Sequence, residues 1–174
     1  GGGTLAMGAN NDTVGTFSIT SGTLGGTGTL TAATYALGGG TISANLGAGA
    51  ATAATGTTTV DGNLGGTLTA SGGTVNLNGT LADDLTASGG TVNLGAADRL
   101  ADTSDVSISS GTLGLGANND TVGTFAITGG TLGGTGTLTA ATYALNGGTI
   151  GANIGAGAAT ASSGTTTLNG SLLA

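Results

Sequence analysis

No cysteine, histidine, proline, tryptophan, lysine or glutamate occurs anywhere in the 174 residues. Each absence removes a class of chemistry. Without cysteine there are no disulfides, no thiolate zinc sites and no thiol nucleophile. Without histidine and lysine there is no serine–histidine triad and no Schiff-base amine. The only fixed cation is Arg99, set against eight aspartates and a net charge of −7. A nucleic-acid binder needs clustered cations to displace counterions from phosphate, and one arginine does not supply them. The same charge disfavours an anionic membrane surface. Aromatic platforms are scarce too, since Phe17, Tyr35, Phe125 and Tyr143 are the whole set. We therefore expect no catalytic residues, no cofactor, no nucleic-acid partner and no membrane insertion of this segment.

What is present is equally one-sided. Forty residues are glycine, threonine is nearly as common, and 37% are hydrophobic. Disordered chains are poor in aliphatic residues, so this content argues for a packed core. No apolar run approaches the ~18 residues of a membrane helix. Glycine does not fall at every third position and proline is missing, which excludes collagen. The chain opens Gly1-Gly2-Gly3 without an initiator methionine or a visible signal peptide, so we expect a segment of a longer protein.

Self-similarity is the strongest signal. Gly3 to Leu64 returns as Gly111 to Leu172 without a gap, with about 50 of about 62 positions identical. Residues 1–110 thus form a first long repeat and 111–174 a partial second copy, within one continuous unit over 1–174. Conservative changes such as Met7 to Leu115, Leu46 to Ile154 and Val60 to Leu168 keep apolar bulk. A shorter period lies inside: Leu68 to Leu77 returns as Leu85 to Leu94. A Gly-Thr step recurs at Gly3, Gly22, Gly40, Gly56, Gly73, Gly90, Gly111, Gly130, Gly148 and Gly164. A period of ~18 residues is too short for a helix pair or a propeller blade but suits one coil of a β-solenoid.

Local patterning agrees with that period. Phe17 and Ile19 flank Ser18; Ile42, Ala44 and Leu46 flank Ser43 and Asn45; Val75 and Leu77 flank Asn76; Val106 and Ile108 flank Ser107. Such alternation sends aliphatics to one face of a strand and small polar groups to the other. Asn78-Gly79, Asn146-Gly147 and Asn169-Gly170 read as turns. The expected fold is all-β: a right-handed parallel β-helix of about ten coils of ~18 residues, roughly 48 Å long and almost free of helix. Stacking would place Leu5, Leu24, Ile42, Val75, Val92, Leu113, Leu132 and Ile150 in one inward column. Nothing resembles a cap. Either the native chain continues at both ends, or copies stack end to end.

Aspartate, serine, threonine and tyrosine are left for chemistry. Asp98, Asp102 and Asp105, beside Arg99, lie in the least repetitive segment and are candidates for calcium, which wants several oxygen ligands. Asp12 and its copy Asp120, each following two asparagines, are a second candidate. The competing reading of both is a solvated polar loop whose aspartates satisfy turn backbone. Asp83 and Asp84 are adjacent, so on a strand they would point to opposite faces, a poor geometry for paired carboxylates. Thr29-Leu30-Thr31, Thr57-Thr58-Thr59 and Thr67-Leu68-Thr69 match the short motif of threonine arrays that order water, but the motif does not recur in every coil.

The segments Gly111 to Gly123, Ala97 to Ser104 and Gly134 to Tyr143 resemble the autotransporter-associated β-strand repeats of giant Gram-negative surface proteins, and are similar to filamentous-haemagglutinin-type adhesins. The resemblance implies a parallel β-helix, export across the outer membrane, and a part in adhesion, biofilm or surface filaments. It brings no catalytic residues. The expected role is a non-enzymatic extracellular rod, an adhesin stalk or fibre segment facing a host or matrix surface. The alternative is a solenoid that binds calcium, glycan or ice; a carbohydrate enzyme stands third.

Overall fold

A computed structural model describes residues 2–173. Its strands wind as a parallel β-solenoid of about nine turns, one fewer than the ten coils expected. At ~4.8 Å per rung this is a rod of about 43 Å. No helix occurs among the described residues. Three parallel sheets line the rod. The first has ten strands, from Thr4–Ala6 through Thr57–Val60, Thr91–Leu94 and Thr112–Gly114 to Thr167–Leu168. The second runs from Thr16–Ile19 through Asp105–Ile108 and Asp120–Ile127 to Thr137–Leu145 and Ala158–Thr160. The third is short: Asp12–Thr13, Thr29–Thr31 and Asn45–Leu46, continued by single bridges through Leu64, Leu81 and Leu100.

Both long sheets run unbroken across the boundary between the two copies. Thr91–Leu94 pairs with Thr112–Gly114, and Asp105–Ile108 pairs with residues 124–127. The step between rungs is 17 residues from Thr57 to Thr74 and 21 from Thr91 to Thr112. The longer coil holds the extra residues of the loop between Leu94 and Asp105.

The expected alternation holds for burial. Ile42, Ala44, Leu46, Val75, Leu77, Val106 and Ile108 are all buried. The strands are shorter than that alternation suggested, however. Ile42 ends one strand, Ser43 and Ala44 turn the corner, and Asn45 opens a strand on another sheet. Asp83 and Asp84 also sit at a corner rather than on a strand, just ahead of Leu85–Ala87. Each buried aliphatic contributes roughly 1.5–3 kcal/mol relative to exposure, which one isolated coil could not collect.

The single inward column expected from the Gly-Thr-aliphatic step is in fact two columns. Leu5, Leu24, Ile42, Val60 and Leu77 are successive partners in one, and Leu94 follows. The other takes Gly40, Thr58, Val75, Val92, Leu113, Leu132, Ile150 and Leu168. The two lie two residues apart along the strand. Leu24 and its copy Leu132 therefore occupy different columns, although their sequences match. The central coils fill both, with Val75/Leu77 and Val92/Leu94. Thr58 supplies the first side chain of the second column; it is fully buried, and its hydroxyl finds no partner.

Two tyrosines plug the core at one corner. The Tyr35 hydroxyl accepts from the Ala32 N–H at 2.8 Å and donates to the Leu30 carbonyl at 2.9 Å. Its copy Tyr143 accepts from Ala140 at 2.7 Å, with the Leu138 and Gly155 carbonyls at 3.0 and 3.1 Å. A buried phenol needs such partners. Phe125 meets Tyr143 edge to face, with centroids 6.3 Å apart. Gly157 passes so close over this ring that a Cβ there would overlap both the ring and the Ala140 carbonyl.

Candidate functional site

Two features stand out from the uniform rod: the loop of the sixth coil with its aspartates, and the outward file of threonines on the first sheet.

The aspartates do not converge. Among the described residues, no group of three or more acidic side chains is placed to hold a metal ion. Asp98 takes a left-handed backbone, φ 55°, the one non-glycine residue described with a positive φ. Asp102 lies in the turn that follows Leu100. Asp105 opens a strand; its N–H donates to Asp84 Oδ1 at 2.9 Å, and its Oδ1 accepts from Thr124 Oγ1 at 2.7 Å. Asp83 Oδ1 accepts from the Asp84 N–H. The Asp84 and Asp105 carboxylates thus accept from groups of the coil above, and that of Asp83 from the residue that follows it.

Asp12 and Asp120 differ sharply. Asp12 heads the third-sheet series Leu30, Leu46, Leu64, Leu81 and Leu100, and Asp120, on a strand of the second sheet, heads the matching series Leu138, Ile154 and Leu172. Asp12 is in the first coil and exposed, and its Oδ1 accepts from the Thr13 N–H. Asp120 is 2% exposed. Its Oδ2 accepts from the N–H groups of Arg99 and Leu100, at 2.8 and 3.2 Å, and its Oδ1 from Thr121 at 2.9 Å. Burial pushes its carboxyl above the ordinary value, and those three N–H donors pull it partly back.

The left-handed turn at Asp98 sets this arrangement. In ordinary coils the column leucine donates its N–H to a carbonyl of the coil above, as Leu46 does to Asn63 and Leu64 to Thr80. In the sixth coil Asp98 takes over that role, donating to the Asn119 carbonyl at 3.2 Å. The next two N–H groups are left free to meet the carboxylate, a small anion-binding nest. Arg99 anchors the loop from below, donating through Nη1 to the Asn78 carbonyl at 2.8 Å and through Nε to Ala97 at 3.0 Å.

The threonine file is more regular than the short motif suggested. Thr57, Thr74, Thr91, Thr112, Thr131, Thr149 and Thr167 are successive partners, seven rungs without a break. A second file, Thr4, Thr23, Thr41 and Thr59, lies two residues along and gives way to Asn76 and Asn93. Sequence reasoning missed this continuity because its Thr-x-Thr motif demands two threonines in each coil. The structure mostly supplies one, at one rung position in the first three coils and at another, two residues away, from Thr57 onward.

Comparison with protein-family models, curated proteins and solved structures gave no match.

Proposed function

We propose that this chain is a length-bearing segment of a repeat-built bacterial surface protein: a stiff rod that spaces or carries adhesive parts and does no chemistry of its own. The observation that carries this reading is the continuity of the two long sheets across the copy boundary. A further copy can be added on the same backbone pairing, so length scales with copy number. The resemblance of Gly111 to Gly123, Ala97 to Ser104 and Gly134 to Tyr143 to autotransporter-associated repeats supports an extracellular setting, with a host or matrix surface as partner.

Small-angle scattering on chains carrying one, two and three additional 108-residue units tests the mechanical part. Each unit of six coils should lengthen the particle by about 29 Å at constant cross-section. Growth in width instead of length would sink the reading. Immunogold labelling of intact cells producing the protein tests the location; label confined to the cytoplasm would remove the surface role.

A second reading rests on the threonine file alone. Seven hydroxyl-bearing rungs at ~4.8 Å present a regular polar lattice to water or glycan. Thermal-hysteresis measurements on the protein and on a Thr112→Lys, Thr131→Lys variant address it. Absence of hysteresis in the unmodified protein would end the ice-binding version.

A further inference from the structure

We infer that the face of the first coil is a docking surface for one particular coil, carrying the sequence of residues 90–110, with Asp12 as its key. This rests on the reading of the chain as a repeat-built rod, and it identifies the partner at a rod end.

The occupant is argued from the molecule itself. Gly111 to Phe125 is a near copy of Gly3 to Phe17, and the structure shows what lies beneath that copy: the sixth coil. Their junction is keyed by side chains as well as by strand pairing. Asp120 enters the nest of Arg99 and Leu100 N–H groups. Asn118 Nδ2 donates to the Leu94 carbonyl at 3.0 Å, and Thr124 Oγ1 to Asp105 at 2.7 Å. The backbone N–H groups of Thr112, Gly123 and Thr128 donate down to the carbonyls of Gly90, Ser104 and Ile108.

The first coil carries the same upper half of this junction: Asn10, Asp12, Thr16, and the amides of Thr4, Gly15 and Thr20. There the face is open. Leu5 and Val14 are exposed, and Leu5, Met7, Asn10, Asp12 and Val14 line a hollow of about 240 Å³. A carboxylate in a leucine column is costly to bury without donors. Of the coils described, the sixth alone, with its left-handed Asp98, offers two N–H groups to it. The far end of the chain is a poor substitute, because Gly148 to Leu172 copies Gly40 to Leu64, which has no such loop.

The test joins residues 90–110 directly to Gly3, reproducing the Ser110–Gly111 continuity of the internal junction. A control carries the same extension with residues 97–103 scrambled. Hydrogen exchange is read at the amides of Thr4, Gly15 and Thr20. The matched extension should slow these amides by ~100-fold, and the scrambled one by less than ~10-fold. Asp12→Ala should leave exchange unchanged in the unextended chain, yet speed it by at least ~10-fold in the extended one. Three outcomes would overturn the inference: equal protection from both extensions, no effect of Asp12→Ala in the extended chain, or concentration-dependent protection of the unextended chain. The last would mean that the protein's own far end suffices. None of the three bears on the growth of particle length with copy number, so the rod reading stands or falls separately.

Discussion

The first and seventh coils have almost the same sequence and very different surroundings. Leu5 is 54% exposed and Leu113 fully buried; Val14 is 38% exposed and Val122 1%. The local structure differs as well. Asp12–Thr13 and Thr16–Ile19 are separate strands in the first coil, whereas Asp120–Ile127 is one strand of eight residues in the seventh. In this architecture a residue's burial, and even its secondary structure, is decided by the coil next door rather than by its own segment. Cooperativity of this nearest-neighbour kind is what repeat proteins trade on.

The two coils should differ most at the aliphatic columns. Leu113→Asp should cost more than about 3 kcal/mol in chemical denaturation, because it buries an unpaired carboxylate, while Leu5→Asp should stay within about 0.5 kcal/mol. Equal effects would mean that the two coils are equally solvated. Next comes Gly157→Ala, which forces a methyl into the Tyr143 ring and the Ala140 carbonyl and should cost about 1–3 kcal/mol in thermal unfolding.

Asp120→Ala strands the Arg99 and Leu100 N–H groups and should cost about 1–3 kcal/mol, with Asp12→Ala near zero. Acid sharpens this pair. The Asp120 carboxyl is raised in the folded state, so the native protein holds its proton to higher pH than the unfolded chain does. Between the two values stability falls as pH rises, and it is regained on acidification. Asp120→Asn should flatten that slope in urea titrations across the window just above the ordinary carboxyl value. The smallest effect is a gain: Thr58→Val keeps the shape, removes the orphaned hydroxyl and should stabilise by about 1 kcal/mol.

Much of the solenoid is legible in the chain because stacking forces like residues onto like. The ~18-residue period, the inward aliphatics at Ile42, Val75 and Val106, and the lack of helix all follow from short-range pattern. The column assignment failed for a physical reason. Gly-Thr-Leu at Gly22 and Gly-Thr-Val at Gly73 look alike, but ladder position is set by pairing with the adjacent coil, and Leu24 and Val75 pair two residues apart. Asp12 and Asp120 share a letter and a neighbourhood, so only the coil beneath distinguishes a solvated carboxylate from a buried one. The Leu30–Leu46–Leu64–Leu81–Leu100 series could have exposed the anomaly, since Asp120 lies 20 residues beyond Leu100, close to the next step.

The offset between the two columns of the first sheet also fixes which insertions and deletions the rod can absorb. Side chains in a strand change sides with every residue, so a slip of two returns each aliphatic to the interior, while a slip of one turns the whole oily stripe toward water. Leu24 and Leu132 ended up in different files without either leaving the core. Corners that gain or lose residues in pairs are therefore neutral to the pleat, and this sheet can shift its phase from one long unit to the next while its interior stays dry.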